Sequence, residues 1–78
     1  MKSIHEGWIT RNKDTMLGKP CIKGTRITVE HILSRLSEGA TIEYLLEGYP
    51  HITREGIYAC IDYAKLIMMN EEVIELSA

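Results

Sequence analysis

The stretch from residue 18 to 29, GKPCIKGTRITV, marks the place where the chain changes from extended to helical structure. Within it, Cys21-Ile22 and the segment 26–28 flank the three residues Lys23-Gly24-Thr25. A short polar segment with a glycine between two extended pieces predicts a tight turn, in which Gly24 is able to take positive φ. The stretch therefore predicts a small turn that ends where a helix begins.

Upstream of this stretch the sequence shows no helical period. Trp8-Ile9-Thr10-Arg11 predicts a short strand, and Asn12-Lys13-Asp14-Thr15 predicts the turn that ends it. Gly18-Lys19-Pro20 predicts a second break, because proline has no backbone donor and restricts the residue before it. Strands this short do not form a stable sheet alone, so we expect them to pack on helices or to pair with a second copy.

From Thr28 onward, apolar residues recur with the 3.6-residue period of helices. Thr28, Thr41 and Thr53 each precede such a run, and we expect them to be the N-caps of three helices. Gly39 is expected to end the first helix and Pro50 the second. The residues expected to face the core are Val29, Ile32, Leu33 and Leu36, then Ile42, Leu45, Leu46 and Tyr49, and finally Ile57, Cys60, Ile61, Ala64, Ile67 and Met68.

These patterns predict one domain of a mainly α, small α+β class. Residues 1–28 form an N-terminal strand arm with the GKPxIxGTRI turn, residues 29–70 a three-helix core, and residues 71–78 an acidic tail. Three helices, of which the last two are joined by a short turn, predict a tri-helical, homeodomain-like or winged helix-turn-helix core preceded by the strands.

Length and composition favour some functional classes over others. The chain has 78 residues, 45% of them hydrophobic and 26% charged, which is typical of a globular domain. No apolar run approaches the roughly 18 residues of a membrane span, so we expect no membrane association. A domain this small leaves little room for a deep active site. Two cysteines, Cys21 and Cys60, are too few for a disulfide scaffold and predict reduced thiols in a cytoplasmic protein.

The net charge of −2 conceals an uneven distribution along the chain. Residues 1–35 hold seven basic and three acidic groups, a balance of +4, whereas residues 36–78 hold two basic and eight acidic groups, a balance of −6. Such asymmetry indicates that different faces meet different partners, one of which is a polyanion. Scattered, solvated charge is the alternative.

Two long strings resemble a known family. Residues 18–29 resemble the G-K-P-x-I-x-G-T-R-I-x-V signature of the domain-of-unknown-function family 433, and the segment 36–59 matches the second half of the same family. Together the match spans roughly residues 8–68. The chain departs from the family pattern at Thr15, where proline is frequent, and at Gly56, where a helix former is common; Gly56 costs about 1 kcal/mol of helix propensity relative to alanine.

The resemblance implies a tri-helical, homeodomain-like fold with short strands before it. It also implies a function, since many members are described as antitoxins that resemble the VapB type and are encoded beside a PIN-like ribonuclease toxin. On this basis we expect an antitoxin that neutralises such a toxin and also binds its own operator DNA as an autorepressor. The alternative is a stand-alone DNA-binding transcriptional regulator without a toxin partner.

Two sets of residues are candidates for DNA contact. Helix three would be the recognition helix of a helix-turn-helix domain, with Arg54 and Tyr58 near its start, but Glu55 and Asp62 on its outer side would repel phosphate. The basic groups lie instead in the arm, so we favour the turn that carries Lys19, Lys23, Thr25 and Arg26. The alternative is that this turn serves the fold and that Arg26 pairs with a carboxylate of the helices.

The same surfaces are candidates for toxin contact. PIN-like nucleases hold a divalent metal with clustered carboxylates, so a protruding Lys23 or Arg26 would occupy the metal's place. The tail residues Val73, Ile74 and Leu76 are an accessory candidate. We expect a homodimer through the strands or through helix three. Five further residues are expected to shape the fold rather than bind: Gly18, Pro20, Gly24, Tyr49 and Pro50.

Nothing in the sequence indicates catalysis. The three histidines, His5, His31 and His51, occur singly, without the spacing of a metal site, and Cys60 lies on the apolar stripe of helix three. We therefore expect no enzyme activity, no metal and no cofactor.

Overall fold

The computed structural model describes residues 7–70. Two strands, β1 (Ile9–Thr10) and β2 (Cys21–Ile22), pair antiparallel, and three helices follow: α1 (Val29–Ser37), α2 (Ile42–Gly48) and α3 (Arg54–Asn70). The prediction of a mainly helical, small α+β fold with short N-terminal strands is confirmed. The predicted tail, residues 71–78, lies outside the described residues.

The strand pair is short because both of its ends are turned by local hydrogen bonds. Ile9 pairs with Ile22 and Thr10 with Cys21. After β1, the amide of Thr15 donates to the carbonyl of Asn12 over 2.8 Å, which closes the predicted turn. A 3-10 turn at Met16–Gly18 follows, in which Met16, Leu17 and Gly18 all have positive φ. The chain is thus reversed before it enters β2.

The arm continues directly into α1. Cys21 forms an isolated bridge with Thr28, and the amide of Val29 donates to the carbonyl of Pro20 over 2.9 Å. Thr28 is also the N-cap of α1, since its Oγ1 accepts from the amide of His31 over 3.0 Å. One residue therefore closes the arm and starts the first helix.

The other predicted helix boundaries are also confirmed. Thr41 Oγ1 accepts from the amide of Tyr44 at the start of α2, and Thr53 Oγ1 accepts from the amide of Gly56 at the start of α3. Gly39 ends α1 with a φ of 104°. Short polar side chains at these positions satisfy backbone donors that a helix start leaves without partners.

The core lies between the strands and the three helices. Helix α3 contacts both strands as well as α1 and α2. The buried residues that form the core are Ile22, Val29, Ile32, Leu45, Ile52, Ile57 and Cys60. The predicted core positions Ile61, Ile67 and Met68 were wrong: their side chains are 44%, 40% and 59% exposed. The apolar stripe of α3 extends further along the helix than the elements that pack against it.

Candidate functional site

The turn predicted between β2 and α1 is held by backbone and hydroxyl hydrogen bonds. We call residues 22–27 the arm turn. The amide of Ile22 donates to the carbonyl of Ile27 over 3.0 Å, and the amide of Thr25 donates back to the carbonyl of Ile22 over 3.0 Å. Gly24 has a φ of 79°, as the sequence predicted. The arm turn is therefore a defined loop.

The hydroxyl of Thr25 stabilises this turn both as a hydrogen-bond donor and as an acceptor. Its Oγ1 donates to the carbonyl of Ile22 over 2.8 Å and accepts from the amide of Ile27 over 3.0 Å. A hydroxyl used in this way shapes the loop and has little capacity left for a ligand. The placement favours a structural role for Thr25, whereas its predicted binding role stays a prediction.

Lys23 and Arg26 project from the arm turn. Both residues are exposed, and neither forms an ion pair or a side-chain hydrogen bond with any residue between 7 and 70. The alternative expectation, that Arg26 pairs with a helix carboxylate, is therefore not met in this part of the chain. The arm presents two cations that no described carboxylate neutralises.

Lys19 differs from these two cations. Its Nζ lies 3.3 Å from Glu30 Oε1, and the two side chains are 50% and 70% exposed. Ion pairs this exposed contribute about 0–1 kcal/mol, because water and salt screen them. A stronger anion can therefore displace Glu30 from Lys19 at little cost.

Lys19 and Arg26 line an open depression of about 350 Å³ beside the arm turn. Its other lining residues share small size or uncharged polarity; they are Thr10, Asn12, Thr15, Cys21, Gly24 and Thr25. Among residues 7–70, no carboxylate lines it. The structure thus brings together Lys19, Thr25 and Arg26 from the predicted set, and leaves Arg54 and Tyr58 outside the depression.

Sequence reasoning missed Thr10, Asn12 and Thr15 as part of this site. The amide of Asp14 donates to Asn12 Oδ1 over 2.8 Å, while the side-chain NH₂ of Asn12 has no acceptor within residues 7–70. The hydroxyls of Thr10 and Thr15 likewise make no hydrogen bond in that range. The signal for these residues was the pairing of β1 with β2, which sets Thr10 beside Cys21. The depression therefore offers neutral donors alongside its two cations.

The start of α3 carries the other predicted binding residues, and they are engaged with each other. Arg54 Nη2 donates to Glu43 Oε2 over 3.3 Å. A hydrogen bond with Tyr58, followed by the one with Glu43, raises the pKa of Arg54. The pKa of Glu43 lies below its usual range because its own backbone N–H donates to the carboxylate, with Arg54 as the next cause. These contacts tie α2 to α3.

The outer side of α3 is also less acidic than predicted. The side chain of Asp62 is only 16% exposed, and its Oδ1 lies 3.2 Å from Lys65 Nζ. The expectation of a freely exposed Asp62 on this face was therefore wrong. Tyr58, by contrast, is 43% exposed.

The residues predicted to shape the fold occupy turning points. Gly18 has a φ of 79°, a conformation that glycine adopts without strain. Tyr49 is half-buried and ends α2, and its hydroxyl hydrogen-bonds His31 Nε2 of α1. Pro50 follows directly, where a helix is disfavoured. Pro20 accepts the hydrogen bond from α1 described above.

Within residues 7–70, His, Cys, Asp and Glu side chains form no group of three or more that would hold a metal ion. No helix in that range is long and apolar enough to cross a membrane. Burial raises the pKa of the Cys60 thiol to about 12, so this thiol is protonated at neutral pH.

Comparisons with known proteins agree with this architecture. The pattern of the family described as "Protein of unknown function (DUF433)" matches residues 9–64. A crystal structure of a DUF433 member protein from Anabaena variabilis ATCC 29413 superposes with a TM-score of 0.75 at 28% identity, over 78% of this chain and 60% of that one.

A curated relative, the uncharacterized protein y4eO of Sinorhizobium fredii, is 30% identical over 57 residues. This match covers 73% of the present chain and 26% of the relative, so the chain spans about a quarter of that protein's length. Because the family pattern matches most of its residues, the chain belongs to the DUF433 family.

Proposed function

We propose that this DUF433 member is the antitoxin of a type II toxin–antitoxin pair. It binds and neutralises a PIN-like ribonuclease and also binds its own operator DNA as an autorepressor, in the cytoplasm and without catalysis of its own. The observation that carries the proposal is the pair of exposed cations, Lys23 and Arg26, on the hydrogen-bonded arm turn. No described carboxylate neutralises them or lines the depression beside them.

The chemistry of the toxin complements this turn. A nuclease that holds its metal with clustered carboxylates presents a concentrated negative charge when the metal is absent. Arg26 offers a planar guanidinium that pairs with a carboxylate through two hydrogen bonds, and Lys23 adds a point charge. A loop whose shape is already fixed loses little conformational entropy on binding. We therefore propose that the arm turn binds the acidic site of the toxin.

DNA contact is supported by the same cations. Proteins contact the phosphate backbone chiefly through lysine, arginine and neutral hydrogen-bond donors. The depression combines Lys19 and Arg26 with threonine hydroxyls. Arg54 at the start of α3 pairs with Glu43 in an ion pair as exposed as that of Lys19, but the acidic Glu55 follows it directly on α3, whereas no described carboxylate lines the depression. The arm is therefore the better phosphate-binding surface, and α3 is the poorer one.

Toxin binding is tested by co-expression with the product of the neighbouring gene, which the proposal expects to be a PIN-like nuclease. The chain should co-purify with the nuclease and abolish its ribonuclease activity. The double variant Lys23→Gln/Arg26→Gln should weaken the complex by about 10- to 100-fold, since it removes two charge-assisted contacts.

The matched control is Arg35→Gln, which removes a half-buried positive charge of α1, paired with Glu38, outside the arm. It should bind like the parent chain. If the double variant neutralises the toxin as well as the parent does, the arm turn is not the toxin-binding surface.

DNA binding is tested by fluorescence anisotropy on the DNA upstream of the gene at two or more salt concentrations. Affinity should fall steeply with salt. Replacing an arm cation by glutamine should flatten the logarithmic slope by about 0.9 for each phosphate that this cation neutralises in the parent complex. An absent or salt-independent shift would remove DNA from the proposal.

The second candidate is a DNA-binding transcriptional regulator without a toxin partner. The presence of Lys19, Arg26 and neutral donors in one depression supports it equally. The two candidates differ in one outcome, because a stand-alone regulator binds its operator but has no nuclease gene beside its own and no effect on nuclease activity.

A further inference from the structure

Helix α3 is packed along only part of its length. It contains 17 residues, which corresponds to about 25 Å. All of its buried residues, Gly56, Ile57, Ala59 and Cys60, lie within its first two turns. Between residues 61 and 70 no residue is buried. Many side chains of this stretch are nevertheless apolar, and Met68 and Met69 among them are 59% and 67% exposed. The uncovered stretch, residues 61–70, is shorter than the about 12–15 residues that an isolated helix needs in water, so a covering surface would stabilise it.

The exposed side of α3 has a regular pattern. Residues spaced alternately by four and three positions form a row along it, which we call the outer stripe: Arg54, Tyr58, Ile61, Lys65 and Met68. Its three uncharged members are between 43% and 59% exposed. Alternating spacing of four and three is the spacing of a helix that pairs with another helix along a seam. The outer stripe is therefore suited to a helical partner.

We propose that the outer stripe binds the same stripe of a second copy of this chain, with the two α3 helices antiparallel about a two-fold axis beside residue 63. In this register Tyr58 of one copy lies opposite Met68 of the other, and Ile61 lies opposite Lys65. An interface of this kind is formed by the same patch on both copies, as a two-fold dimer requires.

Lys65 decides the orientation. In a parallel pair, Lys65 of one copy would face Lys65 of the other, and like charges at a seam repel. In the antiparallel pair each Lys65 lies beside the second copy's Ile61 and Asp62. Asp62 already lies 3.2 Å from Lys65 within one copy, so the charges of the two copies alternate in sign across the interface. The stripe complements itself in one orientation.

A second copy suits the stripe better than the proposed anionic partners do. The two cations of the outer stripe are each paired within the chain, Arg54 with Glu43 and Lys65 with Asp62, so the stripe has no unpaired positive charge to attract DNA or an acidic nuclease site. A single helix pair lies below the about 1,200 Å² of a standard interface, so we expect a dissociation constant on the order of 1–100 µM. The inference does not depend on the proposed function of the arm.

Association is tested by sedimentation equilibrium of the full chain across that concentration range. The mass should rise from 8.9 kDa to twice that value. The variant Ile61→Glu/Met68→Glu should weaken the dimer at least 100-fold while circular dichroism shows an unchanged helix content for the monomer. The matched control Leu66→Glu alters an exposed apolar residue of α3 that lies off the stripe, and it should still dimerise.

Orientation is tested by disulfide formation between variants. An equimolar mixture of Tyr58→Cys and Met68→Cys chains should form the mixed disulfide, whereas each variant alone should not, since equal positions are about 15 Å apart along antiparallel helices. Rapid disulfide formation by either variant alone would overturn the antiparallel register. The interface would be contradicted by a parent chain that stays monomeric, or by a dimer that persists in Ile61→Glu/Met68→Glu. If this double variant lost toxin binding but still dimerised like the parent, the outer stripe would be a toxin-binding surface instead.

Discussion

The arm turn and the helical body are stabilised by different means. The turn, residues 22–27, keeps its shape through the hydroxyl of Thr25, the positive φ of Gly24 and backbone hydrogen bonds. The body is stabilised by buried apolar side chains such as Ile32, Leu45 and Ile57. Substitution of exposed residues in the turn should therefore have little effect on the stability of the fold, whereas substitution of buried residues in the body should lower the stability of the whole domain.

The largest effect should come from removing a core side chain of the body. Ile57 is completely buried, so Ile57→Ala should lower the free energy of unfolding by about 3 kcal/mol through reduced burial and the cavity that remains. Urea denaturation at one fixed protein concentration measures the change.

The matched control is Ile67→Ala, on the same helix, where the side chain is 40% exposed. It should cost about 1 kcal/mol or less. Similar destabilisation in both variants would mean that the C-terminal half of α3 is packed as tightly as its start, and the contrast within α3 would disappear.

The second prediction concerns how stability depends on pH through Cys60, the cysteine of the helical body. Burial raises the pKa of Cys60 to about 12, above the ordinary thiol range. At a pH below the ordinary thiol pKa, Cys60 is protonated in both the folded and the unfolded chain, and the free energy of unfolding has its full value. Above that pKa the unfolded chain loses its proton first, so the free energy of unfolding falls by up to about 1.4 kcal/mol per pH unit until the folded thiol titrates.

The measurement is the free energy of unfolding between pH 8 and 11, compared between the parent and two variants. Cys60→Ala should remove this part of the pH dependence, and Cys21→Ala in the arm serves as the control. An equal slope for the parent and Cys60→Ala would show that the thiol ionises as readily in the folded chain as in the unfolded one.

The third effect concerns the turn itself. Thr25→Val keeps the shape of the side chain but removes the hydroxyl, and it leaves the carbonyl of Ile22 and the amide of Ile27 each without one partner. We expect stability to fall by about 1–2 kcal/mol. Binding of the proposed partners should weaken as well, because Lys23 and Arg26 lose their fixed positions.

Thr25→Ser retains both hydrogen bonds and should behave like the parent. Chemical denaturation gives the stability, and amide exchange at Ile27 reports the turn. Unchanged exchange in Thr25→Val would show that the backbone hydrogen bonds alone define the loop.

The smallest effect distinguishes two glycines with equally open surroundings. A Cβ atom at Gly24 or Gly48 would meet nothing within 4 Å, but only Gly24 of the two has positive φ. Gly24→Ala should therefore cost about 1 kcal/mol, whereas Gly48→Ala, at the end of α2, should gain a few tenths up to about 1 kcal/mol. Thermal denaturation of both variants measures the difference. Equal signs would contradict a conformational cause.

Local chemistry is what the sequence predicts well in this chain. Thr28, Thr41 and Thr53 act as N-caps because a short hydroxyl before an apolar run has one favourable use there. Gly24 and Gly39 have positive φ for a similar reason. These features depend on residues within one or two turns of each other, so periodicity and turn chemistry are sufficient to identify them.

Tertiary features were predicted less well. Periodicity shows which side of α3 is apolar, but not how far α1, α2 and the strands extend along it, so Ile61 and Met68 were wrongly placed in the core. The contact of Arg54 with Glu43 and the depression that includes Asn12 depend on how separate elements meet. The proposed roles of Lys23 and Arg26 in binding stay predictions.

Thr28 has a consequence for how the chain reaches its fold. It bridges to Cys21 and caps α1, so the arm turn and the first helix share a start within a few residues of sequence. Loops of about ten residues close within roughly 10–100 ns, far faster than contacts between distant segments form. We therefore expect residues 20–32 to form the folding nucleus, so that substitutions in residues 24–28 change the folding rate.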